Sequence, residues 1–337
     1  MVDFGCIAGQ GSVVGRHVPL AEMQARLVRY ADLVPCLNAF VDTRNPRSEA
    51  KENFTIIGPG VSENPAQHVH ISEPHGFNVG GARQPPGCVN SQHSHLTAET
   101  FYVLSGRWRF DFGEHGDDVQ VEAGPGTIAS IPPGMFRGFT NIGHGPGFLW
   151  VVLGGDDPGH VTWAPQVFEM AERFGLKLLA NGRLVDTAAD EAVPPGAALL
   201  PPPSPVELQT LKTPPRSLVE ACFVAPGAAG GPGFLAAPGV QDSLIIGPGG
   251  PLDWAHGFTL SRLAFDGGTT AWHAQTGPEV LFAGRGRIRV DWSGGTLDLE
   301  PGDTLSVPVG LPRRLSGDGE LIAVRRGDAA MRPEPVA

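Results

Sequence analysis

Short runs of alternating apolar and polar residues, each cut off by glycine or a charged turn, dominate the chain. In 107–113 the side chains of Trp108, Phe110 and Phe112 fall on one face, and those of Arg107, Arg109 and Asp111 on the other. A period of two marks a strand with one buried face. The neighbouring runs TFYVLSG and DVQVEAG are rich in β-branched and aromatic residues and also end on glycine, so three strands are predicted in succession. Tyr102 points away from Phe101 by the same parity and is read as core. The later stretch RIRVDWSGGTLDLEPGD repeats the pattern, with Gly294-Gly295 read as its hairpin turn.

Helical spacing is confined to a few places. Residues 21–33 are predicted helical, with Met23, Leu27 and Tyr30 on the inward face. Residues 164–174 put Val167, Phe168, Ala171 and Phe174 on one side and stop at Gly175. Asn181-Gly182 reads as a tight turn between LKLLA and RLVD. VPPGAALLPPPSP is an extended linker, and Ser204-Pro205-Val206-Glu207 has the capping-box spacing of a short helix.

The chain also repeats itself. Ile56-Ile57-Gly58-Pro59-Gly60 returns as Ile245-Ile246-Gly247-Pro248-Gly249, and His75-Gly76-Phe77 as His256-Gly257-Phe258. Gly106-Arg107-Trp108-Arg109-Phe110-Asp111-Phe112 returns as Gly286-Arg287-Ile288-Arg289-Val290-Asp291-Trp292. Gly126, Pro132, Gly134 and Arg137 have counterparts in Gly302, Pro308, Gly310 and Arg313. The order is kept and the spacing drifts only as short loop changes would make it, so two copies of one β domain are predicted. Length agrees, since 337 residues exceed a usual single domain.

Composition narrows the function. The 47 Gly and 33 Pro alternate with strand-like runs and act as turn residues. A net charge of −11 argues against nucleic acid, which demands a basic surface. There is no apolar run of membrane-spanning length. The start Met1-Val2-Asp3 lacks the form of a secretory signal, and a cytoplasmic protein is expected. Cys6, Cys36, Cys88 and Cys222 are scattered without a CxxC pair, as free thiols would be, and Cys88 is read as a small core residue.

The most specific stretch is Gly87-(x5)-His93-x-His95-(x3)-Glu99-(x6)-Gly106. His93 and His95 lie two apart and share a strand face, and Glu99 keeps that parity. Two imidazoles and a carboxylate converging in a barrel make the facial triad preferred by divalent iron, with positions open to substrate and oxygen. Manganese, nickel, copper or zinc would also be accommodated. His68, His70, His75 and His144 are candidates for a further ligand, His75 and His256 more readily having structural roles.

This motif resembles the first conserved motif of the cupin superfamily in every fixed position, and Gly126-(x5)-Pro132-x-Gly134-(x2)-Arg137-(x3)-Asn141 resembles the second. The resemblance covers about residues 55–155 and, more weakly, 243–328. It implies an all-β bicupin: a lead-in with a helix at 1–54, a jelly-roll barrel at 55–155, a short helical and Pro-rich insert at 156–242, a second barrel at 243–328 and a tail at 329–337. It implies one divalent metal ion, iron first, on His93, His95 and Glu99 of the first barrel. It also implies a small-molecule substrate and self-association, a homodimer being expected. Cupins span dioxygenases, decarboxylases, isomerases and plain binders, so the fold does not fix the reaction.

Two departures shape the expectation. Arg137 stands where the family usually supplies its last histidine, and a guanidinium cannot ligate a cation. Arg137 and Glu99 are therefore the catalytic candidates, Arg137 gripping an acidic or enolic substrate beside the metal of a non-haem iron dioxygenase. Alternatively, Glu99–Arg137 and Glu279–Arg313 are buried ion pairs of a metal-free binding or isomerase-type protein. In the second copy, His273, Gln275 and Glu279 replace the triad and Arg313 replaces Arg137, which makes a poor metal site.

Overall fold

Trp108, Phe110 and Phe112 are fully buried, and their strand, Trp108–Phe112, belongs to a five-stranded sheet in the computed structural model, which describes residues 17–211, 213–327 and 334–335. The sheet runs in the order Thr162–Trp163, Val89–Ser94, Arg137–Asn141, Trp108–Phe112, Val119–Ala123. A seven-stranded sheet faces it, in the order Phe223–Val224, Ile128–Ile131, Glu99–Ser105, Gly147–Gly154, Phe77–Gln84, Glu52–Ile57, Val69–Ile71. Phe101, Val103, Ile131, Leu149 and Val151 of the larger sheet meet Phe110, Phe112 and Phe139 of the smaller in one core. Two sheets, antiparallel but for Val69–Ile71 beside Glu52–Ile57, close on their apolar faces to form the first barrel.

The second half supplies nine strands of a ten-stranded sheet around its own core, the tenth being Leu27–Val28. Its strands Glu279–Trp292 and Arg313–Arg326 each run through what is two strands in the first barrel, and they pair with each other from Glu279↔Arg325 to Trp292↔Arg313. Trp292 pairs with Gly295, so the hairpin turn falls on Ser293-Gly294, one residue earlier than the sequence suggested.

Strand Gly147–Gly154 is buried at every position. Leu149 and Val151 point into the first barrel. Phe148, Trp150 and Val152 point the other way, into a cluster shared with Phe258, Leu260, Val280, Phe282 and Val324 of the second barrel. Trp150 stacks on Phe282 at 4.5 Å, and Tyr102 packs edge-on to the same ring. A strand covered on both faces reads as a continuous apolar run, which explains FLWVVLG. The predicted core role of Tyr102 is realised between the barrels.

A short helix and strand precede each barrel and cross to the other. Leu20–Gln24 leads to Leu27–Val28, which pairs with Thr304–Val307 of the second barrel. Arg216–Glu220 leads to Phe223–Val224, which pairs with Ile128–Ile131 of the first. The helix predicted over 21–33 is corrected accordingly. It ends at Gln24, because Leu27 and Val28 pair with Leu305 and Thr304, and such edge pairing overrides a weak local helix preference. Met23 and Leu27 pack on the second barrel's core, and Tyr30 on the shared cluster.

The insert holds helix Pro165–Arg173 with Val167 and Ala171 buried, though Phe174 stays 41% exposed. Gly175 takes φ +78° beyond its end, a conformation glycine adopts without strain. Leu176–Leu178 and Leu184–Asp186 pair across the Asn181-Gly182 turn, and the Ser204–Glu207 capping box starts Pro205–Thr210.

Candidate metal centre

Val89–Ser94 and Glu99–Ser105 are consecutive strands in opposite sheets of the first barrel. The short connection between them lets His93, His95 and Glu99 converge. All three are buried, and one ligand atom from each lies within 4.8 Å of the others. Among the described residues this is the one group of three or more His, Cys, Asp or Glu side chains so placed.

The donor set suits a cation. His93 Nδ1 donates to the Ser91 carbonyl at 2.7 Å, which fixes the tautomer and leaves Nε2 with a lone pair. Burial, then the nearby Arg137 and His95, push the His93 pKa well below that of an ordinary histidine, and burial lowers that of His95. Both rings are neutral at pH 7, as ligands must be. His95 Nε2 lies 3.4 Å from Glu99 Oε1, while its Nδ1 is buried without a hydrogen-bond partner.

Arg137 sits beside His93 in the sheet register. Its Nε donates to Glu99 Oε2 at 3.1 Å and its Nη2 to the same oxygen, while Nη1 donates to the carbonyls of His93 and Met135 at 3.3 Å each. Burial by itself would raise the Glu99 pKa. Arg137, with help from the two histidines, reverses this and holds the carboxyl well below the usual carboxylate range. Arg137, expected to grip the substrate, is turned toward Glu99 in the structure. Its guanidinium is spent on Glu99 and two carbonyls, it is 1% exposed, and it does not line the cavity that the triad faces.

That cavity holds about 80 Å³. Phe101, Phe139, Val151, Leu153, Val161 and Trp163 supply apolar wall, and Asn53, Thr55, Gln67 and Asn78 bring polar groups. Among the described residues no Lys or Arg lines it. Trp163, on a strand from the insert, stands 5.3 Å from the His93 ring and donates to Glu63 Oε1 at 2.6 Å. Burial pushes the Glu63 pKa up to about 8, hydrogen bonds from Trp163 and Val41 opposing it. Lys51, fully buried, pairs with Asp42 and donates to Asn90 Oδ1 at 3.1 Å, and Asn90 Nδ2 lies 3.3 Å from His93 Nδ1. Trp163, Glu63, Lys51 and Asn90 carry no spacing signal in the sequence, since partners far along the chain bring them here.

None of the further ligand candidates joins the triad. His75 Nε2 bonds Ser306 Oγ of the second barrel at 2.7 Å, and His256 Nε2 bonds Ser130 Oγ of the first at 2.8 Å. His144 is exposed on a loop. His68 and His70 pack edge to face at 4.5 Å, and His70 Nε2 accepts from the Val34 amide. Cys36, Cys88 and Cys222 are free thiols, and burial raises all three pKa values. Cys6 and the Met1-Val2-Asp3 start lie outside the described residues.

In the second barrel His273, Gln275 and Glu279 occupy the matching strands. Glu279 is clamped by Arg313 on Oε2 and by Arg325 on Oε1 at 2.8 Å. No metal-holding group forms there among the described residues.

The cupin domain family matches residues 82–153, the segment that carries the triad, and solved structures match both barrels together. The chain has the two-barrel fold of a bicupin. A two-residue deletion mutant of oxalate decarboxylase from Bacillus subtilis is 12% identical to this chain, with a TM-score of 0.54 over 92% of this chain and 79% of that one. A point mutant of the same enzyme gives 13% identity and 0.54 over 92% and 79%. Vicilin from hazelnut, Corylus avellana, gives 11% and 0.53 over 93% and 88%. At such identity the likeness is one of fold. A search of curated protein sequences returned no match. No helix among the described residues is long and apolar enough to cross a membrane.

Proposed function

We propose that the first barrel holds one divalent metal ion on His93, His95 and Glu99 and acts as a metal-dependent enzyme on a small organic acid or enol, with non-haem iron dioxygenase chemistry as the leading reaction class. The observation that carries the reading is the state of the triad: two neutral imidazoles and one carboxylate oxygen converge at the cavity while Arg137 occupies only the other oxygen. A divalent ion there would polarise a substrate oxygen and, as iron, activate dioxygen. The protein's own part is positional. Arg137 holds Glu99 ionised and oriented, Ser91 sets the tautomer of His93, and the apolar wall excludes water.

The cavity favours small substrates. About 80 Å³ is roughly half of the 150 Å³ that admits benzene, so a few-atom acid fits better than an aromatic ring. Oxalate, the substrate named for the decarboxylase of similar fold, is of that size and is the first acid to assay. Elemental analysis of purified protein, followed by oxygen uptake after anaerobic iron loading, tests the reading. Protein that neither carries nor takes up a divalent metal would overturn it.

A second reading rests on one specific observation: the Glu279–Arg313 pair repeats Glu99–Arg137 in a barrel without a metal triad. In that reading both pairs are structural and the cavity binds a small molecule without metal.

A further inference from the structure

The second barrel rebuilds the polar cluster of the first with one more cation. Glu99 pairs across its sheet with Leu153, whereas the equivalent Glu279 pairs with Arg325. Arg313 and Arg325 thus bring two positive charges to one carboxylate. His273, which faces them, adds no compensating charge: burial, then Arg313, pushes its pKa down to about 4. Arg313, Arg325, Glu279, His273 and Gln275 are each at most 2% exposed. Glu279 and Arg325 are the charges that bear on Arg313, so among the described residues the cluster carries one buried positive charge in excess.

Its hydrogen-bonding capacity is also unspent. Arg313 Nε, Arg325 Nη2, both amide atoms of Gln275 and Nε2 of His273 are buried without a partner among the described residues. In the first barrel Arg137 has no such orphaned atom. Burying a charge is costly unless it is paired, and orphaned donors add to the cost. A metal ion would increase the excess, whereas an anion removes it.

We propose that the second barrel binds one small monoanion among Arg313, Arg325, Gln275 and His273. The donors of both guanidiniums and of the Gln275 amide suit oxygen acceptors. His273 adds a preference. Its Nδ1 donates to the Ala271 carbonyl at 2.9 Å, so Nε2 only accepts and calls for a ligand O–H. An oxyanion that carries one hydroxyl, such as hydrogencarbonate, satisfies both needs, formate and chloride only the first. This site is independent of any metal in the first barrel.

The test is thermal melting of the full chain in a gluconate buffer at fixed ionic strength, titrated with hydrogencarbonate, formate or chloride. Binding to the folded state alone raises the melting temperature with ligand concentration. The expected result is a saturable rise of several degrees, reached at the lowest concentration with hydrogencarbonate. Arg325→Leu, which restores the residue type of the first barrel, should abolish the response. Equal melting in all anions, or a rise that persists in Arg325→Leu, overturns the proposal. Should that variant fail to fold, a crystal of the unaltered protein grown in bromide decides the matter: an anomalous peak between Arg313 and Arg325 supports the site, and ordered water there refutes it.

Discussion

Arg137 and Glu99 meet through one carboxylate oxygen: Oε2 accepts from the guanidinium, and Oε1 remains on the histidine side, 3.4 Å from His95. In the second barrel the corresponding Oε1 of Glu279 is taken by Arg325. An arginine at the last-ligand position therefore does not by itself exclude a metal. The barrels differ in whether the second oxygen is also occupied, and in Gln275, which stands where the first barrel has His95.

Arg137→Leu leaves Glu99 as an uncompensated buried charge, and breaking such a pair costs about 3–5 kcal/mol. In the metal-free protein the loss should reach that range. With metal at saturation it should shrink, because the ion takes over the compensation. Denaturation with and without chelator measures both. An identical loss in the two states would show that Glu99 does not meet the ion.

His93→Ala should reduce metal content to background, and His273→Ala should leave it unchanged. Elemental analysis of the two purified variants checks this. Equal loss from both would remove the division between the barrels.

Glu63 gives the fold a pH dependence. Folded, it keeps its proton up to about pH 8, against 4.5 as its ordinary value. The folded state binds more protons in that window, so stability falls as pH rises from about 4.5 to 8. The full effect is on the order of a few kcal/mol. Glu63→Gln should flatten the curve of melting temperature against pH across the window. A wild-type curve already flat there would show that Glu63 titrates normally.

Ser306→Ala removes the partner of His75 Nε2 between the barrels, and Ser130→Ala does the same to the reciprocal bond with His256. Losing the partner of a buried polar group costs about 1–3 kcal/mol. Each variant should melt earlier, with both barrels still unfolding in one transition because they share an apolar cluster. Two separated calorimetric transitions in the wild type would contradict the shared core.

Much of this was readable from the chain. The strand parity of Trp108, Phe110 and Phe112, the Asn181-Gly182 turn and the Ser204–Glu207 cap rest on neighbours a few residues apart, and each appears as predicted. The repeat and the metal-motif spacing are local in the same sense. The helix over 21–33 failed because its fate depended on an edge strand at Thr304–Val307, far along the sequence.

Two β domains, and the three residues that stand within reach of one ion, could be read from the chain alone. Tertiary packing set the rest: Arg137 turns its guanidinium to one oxygen of Glu99 and away from the cavity, Trp163 from the insert walls that cavity, and Arg325 takes the second oxygen of Glu279. The reason is physical. Strand period and turn geometry are set by adjacent backbone units, whereas the assignment of a carboxylate oxygen depends on side chains that meet across sheets, where burial makes each charge answer to every other nearby.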